Sequence, residues 1–232
     1  MKGDQLALVQ GWPVTRATLV RWNASPWRVL RGWALGALAV TALLLTATWV
    51  IASVSIPDTG IYEYAGVTRA ATLHDFGFVL ARNGTVLTLH SLACVAGFIA
   101  GASMAQAAQG FSGVSRRIHK LAGPAAIAFV GAATLFSLTT QAYALGTTAA
   151  DLSAQLGLSP LELLVTLTPH ALPELFAVFL PLAAWTIASR RDAWNELLAA
   201  TIVTTAIAIP LLLIAATIET WVTPSLLSAV SG

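Results

Sequence analysis

The chain has 232 residues, with 12 Lys+Arg against 10 Asp+Glu, 9% charged and 57% hydrophobic. A soluble domain carries about 25% charged residues, so these charges are too few to cover a soluble surface of this size. The apolar content also excludes intrinsic disorder. A net charge of +2 supplies no basic face for nucleic acid. The chain reads as an integral membrane protein.

Residues 1–32 mix Arg16, Arg21, Arg28 and Arg31 with Trp12, Trp22 and Trp27. That composition suits a segment on an anionic membrane surface, and equally a frayed tail with ordinary flanking charges. A first span is expected at 33–55, opened by Gly32-x-x-x-Gly36. It lies too far from the N-terminus and is too long for a signal peptide. Residues 61–82, with Leu73, Phe76, Phe78 and Leu80, suggest an interfacial helix. A second span follows at 85–108, where Ala93, Gly97, Gly101 and Ala105 recur every four residues. Such a stripe lets another helix approach closely. The third span, 121–145, gathers Thr134, Ser137, Thr139, Thr140 and Gln141 toward its end, and Cys94 in the second span has no cysteine to pair with.

Within 156–169, Ser159-Pro160-Leu161-Glu162 is a capping box with proline at the first helical position. A short helix is expected from Pro160 to near Thr168, broken at Pro169. The last spans are expected at 169–189 and 196–221, interrupted by Pro181 and Pro210. A span takes about 20 residues, so the fold class is an all-α bundle of five transmembrane helices. Short interfacial or broken helices join them on the external side. The organisation reads as a basic, Trp-rich segment 1–32, a membrane domain 33–225 and an external tail 226–232.

Ten of the 12 basic residues fall before the first span, between the second and third, or between the fourth and fifth, leaving Arg69 and Arg82 elsewhere. The positive-inside rule then expects a cytoplasmic N-terminus and an external C-terminus. Ionisable residues inside spans face the bundle interior or water. His90, His170, Glu174 and Glu219 are such residues. His170 and Glu174 share a helix face, and His90 and Glu174 lie ~7.5 Å below the external boundary at 1.5 Å per residue. All four are expected to meet in an external-side pocket, with Gln141 as an additional lining group. Three readings are open: a structural fastening between helices, a proton or ligand relay, and a metal site of His90, His170 and Glu174. The sequence has no HExxH, no G-x-S-x-G and no phosphate-binding Gly-rich loop.

The run Pro169-His170-Ala-Leu-Pro-Glu174-Leu resembles the Pro-His-Gly-x-x-Glu-Leu hallmark of the stage II sporulation protein M family. Ala215-Ala-Thr-Ile-Glu219-Thr-Trp-Val-Thr-Pro224 resembles its closing motif, and Asn83 matches its asparagine segment ahead of a small-residue span. Ala171 stands where the family has glycine, and Arg82-Asn83 where it has paired asparagines. Carried over by position, Asn83, His170, Glu174 and Glu219 are the signature residues; His90 rests on depth alone. The resemblance implies a polytopic bacterial cytoplasmic-membrane protein without established catalysis or cofactor. It implies a scaffold or accessory subunit of a cell-envelope or peptide-export assembly, whose partners would be an ABC or AAA ATPase, a cell-wall hydrolase, export components or a second copy of the chain. The alternatives are a transporter-like subunit using the His/Glu pocket as a relay, and a membrane metal-dependent hydrolase.

Overall fold

Local start signals decide where the helices of the computed structural model begin. The structure describes residues 7–58, 60, 63–103 and 113–231. Helix α1 spans Ala7–Asn23. Ser25-Pro26 then opens α2, Pro26–Val54, with proline at the first position, where its missing N–H costs nothing. Helix α3, Leu73–Phe98, starts on a reciprocal cap. The backbone N–H of Thr72 donates to Asp75 Oδ2 at 2.9 Å, and that of Asp75 donates back to Thr72 Oγ1 at 3.4 Å. A π-helical turn, Ile99–Ser103, follows.

Helix α4 runs Gly113–Leu156 and α5 Pro160–Arg190. The expected capping box opens α5: the Ser159 N–H donates to Glu162 Oε2 at 2.8 Å, and the Glu162 N–H to Ser159 Oγ at 3.3 Å. After a three-ten turn, Trp194–Glu196, come α6, Leu197–Thr217, a second π turn, Ile218–Val222, and α7, Thr223–Ser231.

Five of these segments are long and apolar enough to cross a membrane, which agrees with the expected all-α membrane class. Their bounds differ from the sequence expectation. The helix suggested for 61–82 is not separate: the chain up to Thr72 is mostly irregular, and α3 continues from Leu73 through the second span. The break expected at Pro169 is absent, because α5 passes through it. Proline there removes one backbone bond, a loss membrane helices tolerate, and Thr168 Oγ1 donates to the Leu164 carbonyl at 2.8 Å beside it. The stretch expected as a tail is helical to Ser231.

Contacts divide the chain into two compact units. Unit 1 is Met1–Ala37, Leu87–Thr134 and Val178–Ala208; unit 2 is Leu38–Val86, Leu135–Ala177 and Ile209–Gly232.

Unit 1 is built on Cys94, Phe98, Trp185, Ala188 and Leu197. The small-residue stripe works here as room for indoles. A Cβ on Gly97 would lie 2.7 Å from Trp185 Nε1, and one on Gly101 2.4 Å from Trp194 Cγ. Ala93 is half-buried, and Ala105 lies outside the described residues. At Gly36 a Cβ would come 3.0 Å from that of Ala183, so α2 and α5 approach closely there. Helix α1 is docked by an ion pair of Arg21 with Glu196 and by an edge-to-face contact of Trp22 with Trp33 at 5.2 Å.

Unit 2 packs Ala52, Ala149, Ala150, Leu152, Leu163 and Leu227. Small residues bring α2 and α4 together, a Cβ on Gly146 meeting Ile51 Cβ at 2.6 Å. Apolar side chains such as Leu43, Leu135 and Phe136 remain exposed, as lipid-facing residues do.

Candidate functional site

Arg82 organises the polar residues of unit 2. It sits in α3, and its guanidinium reaches Glu174 Oε1 of α5 at 3.5 Å and Glu219 Oε1 of the second π turn at 3.6 Å. Its Nε donates to Asn83 Oδ1 at 3.3 Å. The Arg82 side chain is 50% exposed, against 12% for Glu174 and 16% for Glu219. One half-wet cation therefore serves two nearly dry carboxylates. Charges removed from water need such partners, because an uncompensated buried charge is strongly destabilising.

The arrangement brings three of the expected residues, Asn83, Glu174 and Glu219, around a fourth that sequence reasoning had left in a loop count. His170, one turn before Glu174, is buried and hydrogen-bonded through Nδ1 to Thr223 Oγ1 at 2.8 Å. Gln141 is half-buried and donates to Ser137 Oγ at 2.8 Å, within its own helix.

His90 belongs to unit 1. Its Nδ1–H donates to the Val178 carbonyl at 2.6 Å, and its ring lies 5.8 Å from that of Phe179. One turn on, the Cys94 thiol donates to the Pro181 carbonyl at 3.3 Å. Both bonds fall on the stretch of α5 around Pro181.

A cavity of 380 Å³ opens beside Glu219, lined also by Tyr64, Arg69, Phe78, Arg82 and Thr220. Arg69 closes part of its rim through two bonds to Asp75, at 2.8 and 2.5 Å. That bond to Asp75 holds the Arg69 guanidinium above its ordinary value. Burial pushes the Tyr64 phenol well above the usual tyrosine range, and the Glu219 carboxylate adds to the effect. Several buried polar atoms here lack a hydrogen-bond partner: Asn83 Nδ2, Glu174 Oε2, Glu219 Oε2 and Thr220 Oγ1. Asn83 and Glu219 nonetheless stand close enough to Glu174 to act on it, though neither meets full hydrogen-bond geometry at those atoms. Buried polar groups are seldom left so.

Chemically, the cluster holds one cation, two carboxylates, an amide and a hydroxyl around a small cavity. It can fasten helices, or accept a proton or a hydrogen-bonding ligand at the unpartnered oxygens. Among the described residues no three His, Cys, Asp or Glu side chains stand where they could share a metal ion. Arg82, Tyr64, Thr220 and Thr223 were missed at the sequence level. Arg82 had a signal: a lone arginine inside an apolar run, in a chain with two intramembrane glutamates that need a cation.

Residues 122–224 match the family model described as stage II sporulation protein M. The matched stretch contains His170, Glu174, Glu219 and Thr223, and ends at Pro224; Arg82 and Asn83 precede it. No curated protein and no solved structure matches the chain.

Proposed function

We propose, from the match of residues 122–224 to the stage II sporulation protein M family model, a multi-pass membrane scaffold or accessory subunit of a cell-envelope or peptide-export assembly. The observation that carries this reading is the use of Arg82. Its guanidinium is engaged by Glu174 and Glu219 at once, so the charged groups of the cluster are largely spent on one another. They tie α3, α5 and the π turn into one polar knot, as a rigid platform requires. The bias of the basic residues supports a reading in which this platform lies in the bacterial cytoplasmic membrane with its N-terminus inside, the knot toward the external face and the C-terminus outside. Its partners are proteins of the same assembly: an ATPase, a cell-wall hydrolase, export components or a second copy of the chain.

Affinity purification of the full chain from its native membrane, with mass spectrometry of what co-purifies, tests the reading. A reproducible, near-stoichiometric envelope protein is the expected result. A clean preparation without partners would overturn it.

The pairing of two buried acids, Glu174 and Glu219, on one arginine and the unpartnered Thr220 Oγ1 beside the cavity favour a second reading, a proton or ligand relay. His170→Ala and Glu174→Gln separate the two. Loss of folded protein supports the structural knot, and normal folding with lost activity supports the relay.

A further inference from the structure

Unit 1 carries two neighbouring cavities, one apolar and one in which charged residues join an apolar lining. One, of 500 Å³, is walled by apolar side chains including Leu19, Val20, Leu30 and Val203. The other, of 400 Å³, is lined by Arg28, Arg31 and Arg191. Trp22, Val29 and Trp33 line both, so the apolar groove and the basic cleft share a wall. Arg28 and Arg31 are three residues apart on α2 and face the same way. Arg191 follows the end of α5 and completes the set.

Among the described residues the ion pairs involve Arg21, Arg69 and Arg82, and none involves Arg28, Arg31 or Arg191. The carboxylate that lines the cleft, Glu196, is taken by Arg21. Three arginines with no ion-pair partner among the described residues therefore line one cleft, whose one lining carboxylate is engaged by Arg21. Guanidinium forks match phosphate geometry and bind it bidentately.

The apolar neighbour identifies the phosphate's carrier. A site for a free anion in water has no use for a 500 Å³ apolar annex. Trp27 on the same segment is 72% exposed and Val20 68%. Indoles in such positions sit at lipid headgroup level, and basic clefts beside membrane helices take anionic headgroups. We propose that Arg28, Arg31 and Arg191 hold the phosphate of an anionic phospholipid, one acyl chain of which lies in the groove walled by Leu19, Val20, Leu30 and Val203. The site joins α1, α2 and the start of the segment after α5 through one bound lipid. It is independent of the Arg82 cluster and of the partner that the scaffold reading requires.

The test uses the full chain in detergent, stripped of lipid, with binding read by native mass spectrometry and thermal shift. The probes are phosphatidylglycerol, phosphatidylcholine with the same chains, and inorganic phosphate. Phosphatidylglycerol is expected to bind saturably and well ahead of the other two. Removing an arginine near a membrane surface should weaken it roughly fivefold, so Arg28→Gln with Arg31→Gln should weaken it roughly twenty-five-fold and Arg191→Gln roughly fivefold. Arg16→Gln, outside both cavities, should change nothing. Equal binding of phosphatidylcholine overturns the proposal, as does phosphatidylglycerol binding that ignores the substitutions. Equal competition by inorganic phosphate overturns the lipid assignment. Should the double variant fail to fold, the wild-type comparison of the three probes and the Arg191→Gln variant still decide.

Discussion

Gly66 and Pro224 stand closer than any side chain on Gly66 would allow: a Cβ there would lie 2.4 Å from Pro224 Cγ and 2.6 Å from Pro224 Cβ. Gly66 also adopts φ +83°, which L-residues avoid. The loop before α3 therefore rests directly on the start of α7, and glycine is required for two separate reasons.

Gly66→Ala is expected to destabilise the purified protein by about 2–4 kcal/mol, combining backbone strain with overpacking. Thermal unfolding in detergent would show it as a lower midpoint. Gly77→Ala is the control, since nothing lies within 4 Å of a Cβ there and alanine is the better helix former. That variant should be unchanged or slightly more stable.

Arg82→Ala leaves Glu174 and Glu219 facing one another with no cation. Because the Arg82 side chain is 50% exposed, water compensates part of the loss, and the expected cost is about 1–2 kcal/mol. Adding Glu219→Gln should recover much of it, because the second substitution removes the carboxylate repulsion that the first exposed. A double-mutant cycle in thermal or denaturant unfolding measures the coupling. Additive effects would show that Arg82 and Glu219 do not act together.

Gly101→Ala should cost about 1–3 kcal/mol by overpacking, since its Cβ would strike the Trp194 ring at 2.4 Å. Trp194→Leu in the same chain should relieve the strain. Unfolding midpoints of the two single variants and the double variant check this. A Gly101→Ala protein as stable as wild type would mean the indole moves aside freely.

Tyr64 carries a pH prediction. Its folded-state pKa is raised by burial and by the carboxylates nearby, above the ordinary tyrosine value of about 10. The neutral phenol is the form that the fold favours. Its contribution is fully present below about pH 10 and is lost as pH rises beyond it. Above that pH the wild type should lose stability faster than Tyr64→Phe. Ultraviolet absorbance of tyrosinate should also show one phenol, missing in that variant, titrating late.

Much of the fold was legible because hydrophobic length is a blunt and reliable signal. The Ser159–Glu162 cap was readable from four letters, and so was the equivalent Thr72–Asp75 cap, which the aromatic residues of 73–80 obscured by suggesting an interfacial helix instead. Pro169 misled because rules for proline come from water, where a lost backbone bond is contested by solvent; in apolar surroundings the helix has no better alternative. At the site, Asn83, Glu174 and Glu219 were recognisable from motif and depth. Arg82 was not, because counting it toward membrane orientation hid that it lies inside a helix beside two acids. His90 illustrates the limit of depth as evidence, since equal depth says nothing about which way a side chain faces. Its bond to Val178 could only come from the packing.

The π turn at Ile218–Val222 has a consequence for how this chain can change length. In a continuous α-helix residues 219 and 223 would lie nearly in line. Across the wider turn, Glu219 meets Arg82 while Thr223 meets His170. Deleting a single residue between 218 and 222 would restore α-helical periodicity and move the residues before the turn one position relative to those after it, so that one of these two bonds must be forfeited. Insertions and deletions should therefore be purged from this stretch while single substitutions on its outer face pass, a pattern of constraint on length rather than on composition.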